Sequence, residues 1–271
     1  MPIARNTYTA AAREPNDMID LHCHFLPGVD DGAETLEEAL TLARAAVANG
    51  IRHAVLTPHV HPGRYGNVLS TLRPHFLAYQ RALDVNNIPL AVHLGGEIRL
   101  CPEALPLFDS SEVPWIGGWE GHRVVLLEFP PGQIPVGAIR LVAPLRARGI
   151  VPLLAHPERN KDVMRDWKRI GPFVKEGCLL QVTAGSLTGN FGTQAKQTAD
   201  QLLEAGWVSV IATDAHNLEH RPPLLAQARV AVASRYGADA AALLTEFNPA
   251  RIIVGGRSLA QSEPIADSRA A

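Results

Sequence analysis

Histidine and carboxylate residues recur in this sequence at spacings that suit metal binding. His22 and His24 stand two residues apart in a largely apolar stretch, 18–25. In an extended strand, residues two apart project from the same face, so both imidazoles can reach one cation with Asp20 beside them. The same alternation predicts an apolar opposite face formed by Ile19, Leu21, Cys23 and Phe25. Taken alone, the motif is equally compatible with a half-buried strand whose histidines meet solvent.

More acids and imidazoles follow, and most of them stand where a predicted strand ends. The loop 26–32 after the first strand contains Asp31. Further strands predicted in apolar runs end at or just before such side chains, namely His59, Glu97, Glu128, His156, Asp214 and His216. With His22 and His24 these residues make nine candidate metal ligands. Each alone has a structural explanation as a loop residue, but together they indicate a site.

The predicted strands alternate with helices. The strands fall at 18–25, 51–57, 90–94, 123–127, 150–155, 178–182 and 207–212, and helical spacing of apolar residues recurs at 36–47, 69–83, 136–148, 162–175, 194–204, 223–236 and 240–247. Such strand–helix units with short connections predict an α/β fold with a parallel sheet, because a parallel pair needs a crossover. A closed barrel fits best, and barrel enzymes gather their chemistry at the carboxyl ends of the strands.

Composition limits the classes of protein. A chain of 271 residues suits one domain, predicted at 18–256 between a flexible leader, 1–17, and a flexible tail, 257–271. Three cysteines without a Cys-x-x-Cys pair favour a cytoplasmic protein with neither a disulfide scaffold nor a thiolate zinc site. No apolar run is long enough to span a membrane. A net charge of -2 without a basic stretch argues against nucleic-acid binding, and no pattern indicates an oligomeric state.

Nitrogen and oxygen ligands without thiolate suit manganese, iron or zinc, and magnesium less well. Nine candidate ligands can serve two or three ions if a carboxylate bridges, and a site of that kind hydrolyses phosphoesters. Arginine forks match phosphate oxygens. Arg159 and Arg221 stand close to candidate ligands and are predicted to bind the phosphate, whereas Arg64 is interpreted as a solvated loop residue.

Two other phosphatase chemistries do not fit. A cysteine nucleophile with an arginine six positions later is absent, since Val29, Leu107 and Ala184 occupy those positions. An aspartyl-phosphate mechanism requires two aspartates separated by one residue after the first strand, where this chain has Asp20-Leu21-His22.

The order of the motifs resembles a known superfamily. The motifs are His22-Cys23-His24, the loop 26–32 with Asp30-Asp31-Gly32, Thr57-Pro58-His59, Gly96-Glu97, His156-Pro157-Glu158-Arg159 and Thr213-Asp214-Ala215-His216-Asn217. Together they look like the polymerase and histidinol phosphatase (PHP) superfamily. Within it, the chain resembles the capsule-locus, metal-dependent protein-tyrosine phosphatases of the CpsB/YwqE type over nearly its whole length, from about residue 18 to 255.

This resemblance implies a distorted (β/α)7 TIM-like barrel, the PHP fold, with three divalent metal ions, most often manganese. It implies three ligand sets: His22, His24, Glu97 and Asp214; Glu97, Glu128 and His156; and Asp31, His59 and His216. It also implies that Arg159 and Arg221 clamp the phosphate. The implied substrate is a phosphotyrosine tail on a bacterial tyrosine autokinase that controls capsular or exopolysaccharide synthesis.

Several alternatives are kept for comparison. The first is a small-molecule phosphatase of the histidinol-phosphatase type. An amidohydrolase barrel also begins with His-x-His, but two strand-end glutamates fit it poorly. A DNA-processing role would need a basic groove, and a non-enzymatic metal-binding regulator would need a broken ligand set.

Overall fold

The structure, a computed structural model, describes the backbone of residues 17–262 and the side chains of residues 17–258. The predicted leader, apart from Asp17, and the last nine residues of the predicted tail lie outside the described residues. The strands are β1 (Met18–Cys23), β2 (Ile51–Leu56), β3 (His59–Val60), β4 (Ala91–Leu94), β5 (Glu97–Arg99), β6 (Gly117–Trp119), β7 (His122–Glu128), β8 (Ile150–Ala155), β9 (Leu179–Thr183) and β10 (Val210–Ala212).

The helices lie between and after these strands. They are α1 (Leu36–Ala48), α2 (Leu69–Val85), α3 (Ala138–Ala147), α4 (Lys161–Arg165), α5 (Gly171–Lys175), α6 (Ala184–Thr188), α7 (Gly192–Glu204), α8 (Ala226–Tyr236), α9 (Ala238–Ala242) and α10 (Asn248–Ser262). A π-helical stretch, Leu243–Phe247, joins α9 to α10. In the described residues, no helix is both long and apolar enough to cross a membrane.

The strands form a distorted (β/α)7 barrel. One parallel sheet has the order β1-β2-β4, and the second runs β3-β5-β7-β8-β9-β10, with short β6 antiparallel to β7. Since β3 continues the path of β2 and β5 that of β4, the two sheets are successive parts of one wall. Between β1 and β10 the wall is joined by a parallel bridge from Cys23 to Ala215, with Asp214 N–H bonded to the His22 carbonyl at 2.8 Å.

Apolar residues fill two separate cores. The inner core lies within the barrel and comprises buried residues such as Leu21, Val55, Leu126 and Leu153. The outer core lies between the strands and the surrounding helices. Alternation along each parallel strand supplies both cores, which explains why these strands read as continuous apolar runs in the sequence.

Helix α10 closes the end of the barrel opposite the metal ligands. Ile252 and Ile253 belong to the inner core. Helix and strand β6 approach backbone to backbone, because a Cβ atom on Gly255 would lie 2.4 Å from the carbonyl oxygen of Gly118. Only glycine at position 255 permits this distance.

Three local features differ from the sequence predictions. The predicted helix at 162–175 is divided into α4, a 3₁₀ turn and α5. Helix α10 continues to Ser262, past the predicted domain end at residue 256. Strand β1 has one extra residue relative to β2 between Asp20 and Cys23, a bulge that breaks strict alternation.

Because of the bulge, the predicted assignment of β1 side chains to two faces is wrong. Ile19 and Leu21 belong to the inner core, whereas Cys23 and Phe25 belong to the outer core, so the four residues do not share one face. The extra residue allows the His22 ring to join the carboxyl-end cluster although its neighbour Leu21 also points into the barrel.

Candidate metal centre

Four buried side chains converge at the carboxyl end of the barrel: His22, His24, Glu97 and Asp214. The two Nε2 atoms are 3.2 Å apart. Each lies 3.3–3.5 Å from Oε2 of Glu97 and 3.3 Å from Oδ1 of Asp214. A tetrahedron of ligands about 2.0–2.1 Å from a central ion has edges of about 3.3–3.4 Å. The donor atoms therefore stand where the ligands of one divalent ion would stand.

Hydrogen bonds fix the orientation of three imidazoles in this region. Nδ1–H of His22 donates to Oε1 of Gln181 at 2.9 Å, and Nδ1–H of His24 donates to Oδ2 of Asp30 at 2.7 Å. Nδ1–H of His216 donates to the backbone carbonyl of Asp214 at 2.9 Å. With a proton held on each Nδ1, Nε2 is the nitrogen that faces the cluster and can offer its lone pair to a cation, which is the usual arrangement of metal-binding histidines.

A second group extends the cluster towards solvent and contains His24, Asp31, His59 and His216. Oδ1 of Asp31 lies 3.3 Å from Nε2 of His59 and 3.5 Å from Nε2 of His216. The Nε2 atom of His216 is buried without a hydrogen-bond partner. A bound cation is the partner that this donor set fits.

The third group contains His59, Glu97 and Glu128, and it differs from the implied set. Nδ1 of His59 lies 3.0 Å from Oε2 of Glu97 and 3.9 Å from Oε2 of Glu128. His156 instead places Nε2 2.9 Å from Oε1 of Glu97. Glu97 thus uses its two oxygens towards different histidines, as a bridging carboxylate would.

The pKa values show how strongly the site concentrates charge. Burial would raise the pKa of Glu97 and Asp214, but the neighbouring charge of His22 holds both well below their usual range. Glu128 has a raised pKa because it is buried and faces the negative charge of Glu97. Burial lowers the pKa of His216 to about 4, with His24 adding to the effect. Burial would lower the pKa of His22 and His24, but the neighbouring carboxylates raise both above the usual range. At neutral pH Glu97 and Asp214 are therefore ionised and His216 is neutral, as metal binding requires, and an ion that binds His22 and His24 displaces their protons.

Both predicted phosphate-binding arginines border this cluster. Arg159 Nη1 makes a close ion pair with Oδ2 of Asp214. Arg221 Nη1 lies 3.9 Å from the same oxygen, and its Nη2 lies 3.8 Å from Oδ2 of Asp31. Two guanidinium groups therefore flank one side of the cluster. Arg64 instead lies over the Tyr65 ring, 4.9 Å from its centroid.

Several supporting residues were missed or misplaced by the sequence analysis. Asp30 and Gln181 hold histidine rings, and a polar residue inside the apolar strand 178–182 was an available signal for Gln181. Arg99 pairs with Oε2 of Glu128 at 2.9 Å. Asp20 does not contact an imidazole ring, because its carboxylate accepts hydrogen bonds from Thr213 and from the backbone N–H of His22.

The cysteines take no part in this chemistry. Cys23 is buried, and its Sγ donates to the Val55 carbonyl at 3.5 Å. Burial raises the pKa of the Cys23 thiol well above its usual value, so the thiolate that nucleophilic catalysis needs does not form at neutral pH. Divalent ions held by the histidines and carboxylates would supply positive charge and would lower the pKa of a bound water molecule.

The parallel barrel and its buried cluster of imidazoles and carboxylates define a metal-dependent hydrolase. The chain belongs to the family described as "Capsular polysaccharide synthesis, CpsB/CapC", whose model matches residues 18–254. It is 34% identical to the tyrosine-protein phosphatase YwqE of Bacillus subtilis over 229 residues, 84% of this chain and 89% of that one. It is 30% identical to the tyrosine-protein phosphatase CpsB of Streptococcus pneumoniae over 246 residues, 88% of this chain and 98% of that one.

Solved structures agree with this assignment. A structure from a study of YwqE from Bacillus subtilis and CpsB from Streptococcus pneumoniae, described as unique metal-dependent tyrosine phosphatases, superposes with a TM-score of 0.81 at 33% identity. The match covers 88% of this chain and 95% of that one. A phosphotriesterase homology protein from Escherichia coli shares the fold at 13% identity and a TM-score of 0.56.

Proposed function

We propose that this protein is a metal-dependent phosphatase that hydrolyses phosphotyrosine in proteins. The observation that carries the proposal is the convergence of Arg159 and Arg221 on Oδ2 of Asp214, a carboxylate of the metal-ligand cluster. This arrangement places two phosphate-binding forks next to the ions that would activate water. The named activities of the relatives supply the substrate class.

The site composition suits an aryl phosphate. Phosphotyrosine leaves as a phenolate whose conjugate acid has a pKa of about 10, so its departure needs less protonation than that of an alkoxide. Positive charge from metal ions and two arginines is then sufficient to stabilise the transition state. A phosphoserine or histidinol phosphate leaves as a more basic alkoxide that normally requires a proton donor.

The cleft beside Arg221 has apolar and polar walls. Its lining includes Phe191, Pro222 and Leu224 together with the polar residues Asn190 and Thr213. A phosphate held between the arginines would direct the attached ring along these apolar surfaces. Leu224 is 37% exposed, so this edge of the cleft meets solvent.

The proposal extends to cofactors and partners. Nine residues support binding of three divalent ions, most simply manganese, with iron or zinc as alternatives: His22, His24, Asp31, His59, Glu97, Glu128, His156, Asp214 and His216. Their grouping departs from the resemblance in two ways: His24 also lies with Asp31, His59 and His216, and His59 takes the place of His156 beside Glu97 and Glu128. The substrate would be the phosphotyrosine tail of a bacterial tyrosine autokinase that regulates capsular or exopolysaccharide synthesis. The protein would act in the cytoplasm, which agrees with its three free cysteines.

The experiment compares phosphorylated substrates on one preparation. Protein stripped of metal and reconstituted with Mn²⁺ is assayed on a phosphotyrosine peptide, the same peptide with phosphoserine, and histidinol phosphate. We expect the highest kcat/KM for the phosphotyrosine peptide. His24→Ala should abolish hydrolysis and lower the bound metal measured by mass spectrometry while circular dichroism stays near wild type; His22→Ala should do the same.

The matched control is His75→Ala, which removes an exposed imidazole on α2. It should retain both metal and activity. A kcat/KM for histidinol phosphate well above that for the phosphotyrosine peptide would move the function to the small-molecule alternative. Retained activity and full metal content in His24→Ala would refute the ligand assignment.

A further inference from the structure

An aromatic ring packs against one of the two arginines. The Cζ atom of Arg159 lies 4.3 Å from the ring centroid of Phe191. This distance is within the range of a cation–π contact, in which the ring face attracts the guanidinium plane. Phe191 stands between α6 and α7 and also lines the cleft beside Arg221.

The surrounding backbone makes room for this ring. A Cβ atom on Gly185 would lie 2.8 Å from Cε2 of Phe191, so a larger residue there would displace the ring. The segment is also tied to the arginine loop by Glu158, whose Oε1 accepts hydrogen bonds from the Thr183 backbone at 3.0 Å and from Ser186 Oγ at 2.7 Å. Glu158 is fully buried.

We infer that Phe191 is a positioning residue that fixes the guanidinium plane of Arg159 for phosphate binding. The ion pair with Asp214 holds only Nη1 of the guanidinium, so the rest of the group can still rotate about that contact. The ring face restricts this rotation, so the remaining N–H groups stay directed towards the phosphate position. Bidentate recognition depends on that orientation. This inference rests on the proposed phosphatase function.

The test measures phosphate binding directly. Inorganic phosphate is titrated into manganese-loaded protein by calorimetry, and its inhibition constant is measured with p-nitrophenyl phosphate. Phe191→Leu should weaken phosphate binding about 5-fold, the loss expected for one partly buried cation–π contact. Phe191→Tyr keeps the ring and should restore binding to within about 2-fold of wild type. Metal content should be unchanged in both variants.

A double-mutant cycle separates positioning from general damage. In an Arg159→Ala background, Phe191→Leu should have no further effect on phosphate affinity, because the ring acts only through the guanidinium. Gly185→Ala displaces the ring without altering Phe191 itself. It should weaken phosphate binding as Phe191→Leu does, and it serves as the second test if Phe191→Leu folds poorly. Phe247→Leu is the matched control, since Phe247 is half exposed on the π-helical stretch.

The outcomes distinguish this inference from the proposed function. If Phe191→Leu and Gly185→Ala bind phosphate as wild type does, the positioning role is wrong while phosphatase activity stands. If the loss persists in the Arg159→Ala background, Phe191 acts by another route and the inference also fails. Failure of the wild type to bind phosphate or to hydrolyse any phosphomonoester would overturn both.

Discussion

Oδ2 of Asp30 accepts a 2.7 Å hydrogen bond from Nδ1 of His24 and thereby determines which nitrogen of that ring faces the metal cluster. The same carboxylate also accepts a hydrogen bond from the backbone of His59 at 2.9 Å, so it links the first loop to a second candidate ligand. Asp30 therefore shapes the site without belonging to any of the three ligand groups found among the described residues.

Asp30→Ala should weaken metal binding because His24 loses the acceptor that fixes its tautomer and orientation. Losses of about 10- to 100-fold in metal affinity are typical for such supporting carboxylates. Competition with a fluorescent chelator measures the affinity. Glu37→Gln, at an exposed position on α1, is the control and should leave affinity unchanged. An unaltered affinity in Asp30→Ala would contradict the supporting role.

Removal of either guanidinium should reduce turnover more than metal binding. Arg221→Ala and Arg159→Ala are each expected to lower kcat by about 100-fold or more, the usual loss when a donor to a developing anion is removed. Steady-state kinetics with p-nitrophenyl phosphate, paired with metal analysis, checks this expectation. Arg73→Ala, an exposed position on α2, should behave as wild type. Equal losses of metal and activity would instead assign these arginines to holding the cluster together.

Cys23→Ser should keep catalysis and cost about 1 kcal/mol of unfolding free energy. The serine hydroxyl can still donate to the Val55 carbonyl, but the outer core loses a sulfur that packs as a small apolar group. Urea denaturation and kinetics are the measurements. Iodoacetamide should also leave the native enzyme active. Inactivation of the folded serine variant would show that the thiol takes part in the reaction.

Protonation of His93, which is not a candidate metal ligand, should lower the free energy of unfolding at acidic pH. Burial, together with Arg257 and His53, lowers the pKa of His93 to about 4. A lowered histidine pKa means that the folded state binds fewer protons than the unfolded state. Its contribution to stability is complete above pH 6.5 and is lost as pH falls towards 4.

A comparison of His93→Gln with wild type isolates this contribution, because the metal ligands protonate equally in both. Between pH 7 and pH 5, wild type should lose about 1 kcal/mol more than the variant, after allowance for the partial exposure of the ring. Urea denaturation at both pH values gives the difference. Parallel losses in the two proteins would mean that His93 titrates normally.

Gly255→Ala tests the close approach of α10 to β6. An added Cβ atom would lie 2.4 Å from the Gly118 carbonyl oxygen, so the helix must move, at a cost of about 2 kcal/mol or more. Thermal and urea unfolding measure the loss. Gly132→Ala is the control, because a Cβ atom there has no neighbour within 4 Å. Equal stability of the two variants would show that α10 tolerates displacement.

Much of the fold could be predicted because parallel strands are apolar on both faces and short loops separate them. Strand β8 has the predicted bounds, and β2 begins where the sequence places it. The region 162–175 was predicted as one helix because its apolar spacing is helical throughout. Its division into three pieces follows from local capping, where the side chain of Asp166 accepts from the Lys168 backbone and starts a new turn.

The part of the candidate site that could be predicted consists of residues that stand just after predicted strands. His59, Glu97, His156 and Asp214 follow strand ends and meet because all parallel strands end on one side. The bulge in β1 was not visible in the sequence, since any residue pair in an apolar run can host it. Whether His59 or His156 approaches Glu128 depends on loop paths and side-chain rotamers, which residue spacing does not determine.

Because α10 closes the barrel, the inner core cannot be completed until this helix has been synthesised. Ile252 and Ile253 complete the inner core, and they are among the last described residues to leave the ribosome. The strands that emerge first, including β1 with His22, therefore have an inner face open to water until residues 252 and 253 have been synthesised. Assembly of the ligand cluster, whose residues span His22 to His216, therefore needs most of the barrel to have been synthesised and cannot be completed from local segments.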